Sequence, residues 1–151
     1  MTAYVTQSEE ETAAVGRELA RHVTIGWTVL LHGPLGAGKT AFVRGLAAGF
    51  GCAEDDVSSP TFTIVQEYRG PVGRTLLRHV DLYRLTPVEV DDLGLDEMLD
   101  DSVVAVEWPD RWRDAPADAI QITIAITSGT ERRITIVGLG AGDASPRHST
   151  R

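Results

Sequence analysis

The 151-residue chain reads as a single α/β domain with a mainly parallel central sheet and a C-terminal antiparallel hairpin. Three observations predict this. Helix-patterned segments alternate with short, continuously apolar segments, the mark of strands buried on both faces. One such strand runs through a glycine-rich turn into a helix. Near the end, two segments alternate apolar and polar residues around Ser128-Gly129-Thr130, which predicts a hairpin at the sheet edge.

The elements follow in order. Residues 8–22 are predicted as a helix, with Ser8 and Glu11 as a capping box and Ala13, Ala14, Leu19, Ala20 and Val23 as its apolar face. Residues 27–31 are a buried-type strand. The next helix covers about 39–50 and is stopped by Gly49 and Gly51. Residues 61–68 and 74–82 read as strands separated by Gly70-Pro71-Val72-Gly73. Residues 87–101 carry one or two short acidic helices, 102–106 another buried strand, and 120–126 with 132–137 the hairpin. The domain therefore covers 1–140, and the small, unpatterned residues 141–151 form a disordered tail.

Composition narrows the function. Hydrophobic residues are 42% and charged residues 24% of the chain, ordinary globular values that argue against wholesale disorder. The longest apolar runs are far too short to span a bilayer, and Glu9, Glu10 and Glu11 stand where a secretory signal would be basic and then apolar. A lone cysteine, Cys52, excludes an internal disulfide. The expectation is a cytoplasmic protein. With 14 basic and 22 acidic residues the net charge is −8, a balance that argues against gripping nucleic acid directly, since phosphate contacts need a basic face. Thirteen of the basic residues are arginine; the only lysine is Lys39.

That lysine sits in Gly33-Pro34-Leu35-Gly36-Ala37-Gly38-Lys39-Thr40, a complete P-loop with a strand before it and a helix after it. Glycines let backbone N–H groups wrap a phosphate chain, and the helix start adds its positive end. Lys39 is placed for the β- and γ-phosphates and Thr40 for Mg²⁺. A plain glycine turn would not place strand, helix and the sole lysine together. The overlapping G-x-G-x-x-A pattern suggests dinucleotide binding, but the acid that reading needs would fall in Val57-Ser58-Ser59-Pro60, a loop.

A P-loop enzyme also needs a carboxylate at the end of a neighbouring buried strand. Glu107 ends 103–106, and an acid ending an apolar strand needs a partner. Asp81 ends 74–82; it either serves the site or pairs with Arg84 or His79. His79 reads as a packed, hydrogen-bonded histidine. Ser58-Ser59-Pro60-Thr61-Phe62 is either a switch-like loop or an ordinary turn. Trp108 and Trp112 either cover the site, meet a partner or pack in the core.

The P-loop, Ser59-Pro60-Thr61-Phe62, His79-Val80-Asp81-Leu82-Tyr83-Arg84 and Val106-Glu107-Trp108, in this order and spacing, resemble the bacterial TsaE family of tRNA-modifying ATPases. The P-loop alone is generic; the other three segments together are specific. The resemblance implies a P-loop NTPase-like fold that binds ATP or ADP with Mg²⁺ and hydrolyses ATP weakly alone. It implies TsaD- and TsaB-like partners that form threonylcarbamoyladenosine beside the anticodon, with tRNA contacted only indirectly. It also implies that Gly33, Leu35, Gly36, Ala37, Gly38 and Lys39 hold phosphates, that Thr40 and Glu107 ligate Mg²⁺, and that Asp81 positions water. Thr61 falls in the switch-like loop. Ser8, Arg132 and Arg133 fall where that family encloses the base. Pro109 and the arginine-rich surface depart from the pattern. The rival is a small-metabolite kinase, which wants an arginine lid; only Arg111 with Arg113 and Arg132 with Arg133 are close pairs.

Overall fold

A computed structural model describes residues 1–53 and 64–138. The whole switch-like loop 58–62, Thr61 included, and the 141–151 tail lie outside the described residues. The elements are β1 (Thr2–Thr6), α1 (Glu9–Ala20), β2 (Thr28–His32), α2 (Lys39–Gly49), β3 (Val65–Arg69), β4 (Thr75–Asp81), α3 (Pro87–Asp91), α4 (Leu95–Met98), β5 (Val103–Glu107), β6 (Ile120–Ile126) and β7 (Arg132–Val137). A 3₁₀ turn, Pro109–Arg111, follows β5.

All seven strands form one sheet in the order β1-β7-β6-β2-β5-β4-β3. The four central strands β6, β2, β5 and β4 run parallel. Antiparallel pairings close both sides: β6–β7 and β7–β1 on one, β4–β3 on the other. The hairpin is thus present with the expected strands but is not at an edge. β6 pairs with β2, and β1, which the sequence reading left out, covers β7. Thr2–Thr6 is mostly exposed, so it has neither the buried run nor the two-sided patterning that betrays an inner strand.

Because side chains alternate across a strand, each central strand feeds two cores. Val29, Leu31, Leu77, Val103, Ala105, Ile120, Ile122 and Ile124 pack beneath α1 and α2 with Val15, Leu19, Phe42, Val43 and Leu46. Leu30, Val80, Leu82, Val104 and Val106 pack on the other face with Val90, Leu95, Leu99 and Trp112. Trp112 is therefore a core residue. Each large side chain taken fully out of water stabilises the fold by roughly 1.5–3 kcal/mol.

Two helix features hold the site in place. Ser8 Oγ accepts the Glu11 N–H at 3.1 Å, as a cap should. The Glu11 carboxylate returns to the N–H of Gln7 rather than of Ser8, so the predicted box is shifted by one residue. Helices α1 and α2 cross in close contact through glycines. A Cβ on Gly45 would stand 1.7 Å from the Ala13 carbonyl oxygen, and one on Gly16 would stand 2.1 Å from that of Phe42. Among the described residues no helix is long and apolar enough to cross a membrane.

Candidate functional site

The site lies at the C-terminal ends of the parallel strands, where open α/β sheets place ligands. Strand β2 ends at His32, the loop 33–38 turns over its tip, and α2 starts at Lys39. Gly38 caps that helix in a left-handed conformation, φ 109°, which a side chain at this position would resist. The backbone N–H groups at the start of α2 have no earlier helical partner, which gives an anion a ready set of donors.

Lys39 is buried. Its Nζ donates to the Gly33 carbonyl at 2.7 Å, stands 3.8 Å from Glu107 Oε1 and lies 4.8 Å from the centre of the Trp108 ring. The sole lysine is therefore folded back on its own loop, held by a carboxylate and an aromatic face.

Asp81 and Glu107 are register partners on β4 and β5, so both predicted carboxylates arrive side by side on the α2 face. They differ in environment. Glu107 is buried and its Oε2 lies 2.6 Å from His79 Nε2. Asp81 accepts the Tyr83 N–H at 2.9 Å; among the described residues it makes no ion pair with Arg84 or His79. Burial pushes the Asp81 carboxyl above the usual carboxylate range, the nearby charge of Glu107 adds to this, and the Tyr83 N–H opposes it. His79 is packed and hydrogen-bonded as expected, but its partner is the site's own carboxylate, a link the sequence reading did not draw.

Trp108 takes a left-handed backbone conformation, φ 59°, alone in this among the described non-glycine residues. Pro109 follows it, and a proline disfavours the ordinary helical region for the residue before it. The turn brings the indole over Lys39 and against Tyr83, ring centres 4.9 Å apart. Trp108 thus covers the site, one of the roles left open by sequence.

These groups open into a cleft of about 540 Å³ lined by Leu35, Gly36, Gly38, Lys39, Thr40, Asp81, Glu107 and Trp108, with Arg44, Tyr83 and Arg84 at its walls. The last three were not singled out as site residues. A second cleft of about 200 Å³ shares Gly36 and Gly38 with the first and is lined by Ser8, Ala37, Thr130 and Arg132. Arg132 Nε donates to the Ala37 carbonyl at 3.1 Å and Nη1 to the Ser128 carbonyl at 3.3 Å, tying the β6–β7 turn to the P-loop. Arg133 does not line this cleft. Leu35 is exposed at the loop tip.

The donor set suits a small hard cation. Thr40 and Glu107 offer oxygen, and among the described residues no cluster of three or more His, Cys, Asp or Glu side chains gathers to hold an ion alone. Two protein oxygens completed by phosphate and water are what Mg²⁺ prefers.

Residues 6–134 match the family described as threonylcarbamoyl adenosine biosynthesis protein TsaE. The tRNA threonylcarbamoyladenosine biosynthesis protein TsaE of Bacillus subtilis is 40% identical over 137 residues, covering 89% of this chain and 84% of that one. The Treponema pallidum protein of the same name is 37% identical over 135 residues, 87% and 97%. That of Synechocystis is 45% identical over 109 residues, covering 68% of this chain and 66% of that one. The crystal structure of Bacillus subtilis YdiB superposes with a TM-score of 0.72 at 34% identity, covering 93% of this chain and 86% of that one.

Proposed function

The chain belongs to the TsaE family of tRNA threonylcarbamoyladenosine biosynthesis, and from that premise we propose that it is the ATP-binding and ATP-hydrolysing accessory subunit of the modifying complex. The observation that carries this reading is the convergence of Lys39, Asp81 and Glu107 on one cleft beside the P-loop. The three come from separate parts of the chain, and a polyphosphate with a cation and a water makes use of all of them.

In this reading the phosphates lie on the backbone of the loop from Gly33, Leu35, Gly36, Ala37 and Gly38. Lys39 swings from the Gly33 carbonyl to the β- and γ-phosphates. Thr40 and Glu107 hold Mg²⁺, which neutralises charge on those phosphates. Asp81, its basicity raised by burial, accepts a hydrogen bond from the water that attacks the γ-phosphorus as the bond to ADP breaks. Trp108 keeps bulk water from Lys39. The adenine end occupies the smaller cleft beside Ser8 and Arg132, and Thr61 belongs to the loop that senses the γ-phosphate.

The acidic charge of −8 supports tRNA being held by TsaD- and TsaB-like partners rather than by this chain. Hydrolysis then drives or resets the complex in the cytoplasm. The test is phosphate release from ATP by the chain alone and with those partners. Slow release that the partners stimulate and Lys39→Ala abolishes is expected; phosphate transferred to a small metabolite would overturn the proposal.

A further inference from the structure

His79 is completely buried on β4, two residues before Asp81 and on the same face of the sheet. Its register partner on β5 is Ala105, whose single methyl leaves room for the imidazole to lean along the sheet. There it meets the next inward side chain of β5, with Nε2 2.6 Å from Glu107 Oε2. Its other nitrogen, Nδ1, is buried with no hydrogen-bond partner among the described residues. A ring with one nitrogen on a carboxylate and no acceptor at the other carries its proton on the first. Among the described residues His79 is therefore a donor with a single target. Packing gives no reason for it, because an apolar side chain of similar size would fill the space without an unpaired polar atom.

We propose that His79 is a positioning residue. Its Nε2–H ties down Glu107 Oε2 and leaves Oε1, the oxygen facing Lys39, presented to the magnesium–nucleotide. The carboxylate is thus a ligand in one orientation rather than several. This rests on the nucleotide reading above. Hydrogen-bonding groups behind a metal ligand typically change metal affinity by about 10–100-fold when removed.

The experiment follows Mn²⁺ binding in the presence of ADP by electron paramagnetic resonance, on the full chain and on His79→Leu, His79→Asn and His79→Gln. Leu fills the space without a donor, Asn carries its amide to the Nδ1 position, and Gln carries it to the Nε2 position. Loss of about tenfold or more in Mn²⁺ affinity is expected for His79→Leu and His79→Asn, with recovery to within about threefold in His79→Gln. ADP affinity in EDTA, read by calorimetry, stays at the parental value throughout. Should His79→Leu fail to fold, the contrast between Asn and Gln carries the test. Parental Mn²⁺ affinity in His79→Leu or His79→Asn overturns the proposal, and so does equal loss in Asn and Gln. Failure of the parent chain to bind Mn²⁺ with ADP overturns the nucleotide reading first, and this inference with it.

Discussion

Asp81 and Glu107 face each other across β4 and β5 as register partners, yet the fold treats the two carboxylates in opposite ways. Glu107 has a histidine donor and a lysine beside it. Asp81 has one backbone N–H and a like charge next to it. Burial opposes ionised Asp81, and the charge of Glu107 adds to this against the Tyr83 N–H. Two acids whose environments diverge in this way are suited to different tasks.

Asp81→Asn is therefore expected to slow ATP hydrolysis by about 100-fold while leaving the thermal midpoint equal to or above that of the parent. The raised carboxyl sets the sign. A group whose folded pKa lies above its unfolded value binds more protons in the fold, so stability is lost as pH rises from the unfolded toward the folded value. Asparagine keeps the bond to Tyr83 and removes that loss. Thermal melts at neutral and acidic pH check it: the gain belongs at neutral pH and vanishes in acid. A lowered midpoint at neutral pH would contradict the assignment.

Nucleotide binding should be visible in one tryptophan. Trp27 and Trp112 are buried in the two cores, whereas Trp108 lies over Lys39 and against Tyr83. Drawing Lys39 to a phosphate removes a cation from the indole face. ADP with Mg²⁺ should change the emission of the parent chain and leave that of Trp108→Phe unchanged. A change of equal size in Trp108→Phe would place the signal elsewhere.

What the sequence made legible follows from where each signal is stored. The P-loop, α2 and the central strands are local patterns, so residues such as Lys39, Thr40 and Glu107 could be singled out as candidates from the local sequence. Asp81 and Glu107 could be named as strand ends, but that they are neighbours depends on β4 lying beside β5, which no local pattern encodes. His79 was read correctly as buried; its partner 28 positions away belongs to the same topology. The i, i+2 spacing of His79 and Asp81 was the available signal, since it puts both on one strand face. β1 was missed because an exposed strand lacks apolar contrast, and the hairpin was placed at an edge because the strand covering it had not been seen.

Acid should weaken the fold through a site far from the P-loop. Arg78 donates to Glu67 at 2.9 Å, to Ser102 Oγ at 2.8 Å and to Asp101, which joins β3, β4 and the approach to β5. The Arg78 hydrogen bond holds the Asp101 carboxyl below its usual range. A lowered folded pKa contributes stability above the unfolded value and loses it as pH falls through the folded value. Asp101 is exposed, so screening keeps the effect small. Denaturant midpoints taken from pH 7 down through the carboxylate range should fall less steeply in Asp101→Asn than in the parent. Identical slopes would show that the pair contributes nothing.

The tightest constraint on the site is mechanical, at the crossing of α1 and α2. Gly45 lies one turn and a half into the helix that begins with Lys39, and its Cα faces the Ala13 backbone with no room for a methyl: a Cβ would meet the carbonyl oxygen at 1.7 Å and the carbonyl carbon at 2.5 Å. Backbone cannot rotate aside as a side chain can, so Gly45→Ala must push the helices apart. Helix propensity favours alanine by up to about 1 kcal/mol, yet overpacking of this kind costs about 1–3 kcal/mol, occasionally more. Since a backbone–backbone clash sits at the upper end, the net expectation is destabilisation by about 2 kcal/mol. Moving α2 also moves Lys39 and Thr40, so nucleotide affinity should fall together with the denaturant midpoint. An exposed control, Gly129→Ala, has nothing within 4 Å of its Cβ and should leave the midpoint nearly where it was. Gly45→Ala with a parental midpoint would mean that the helices are not packed through this contact.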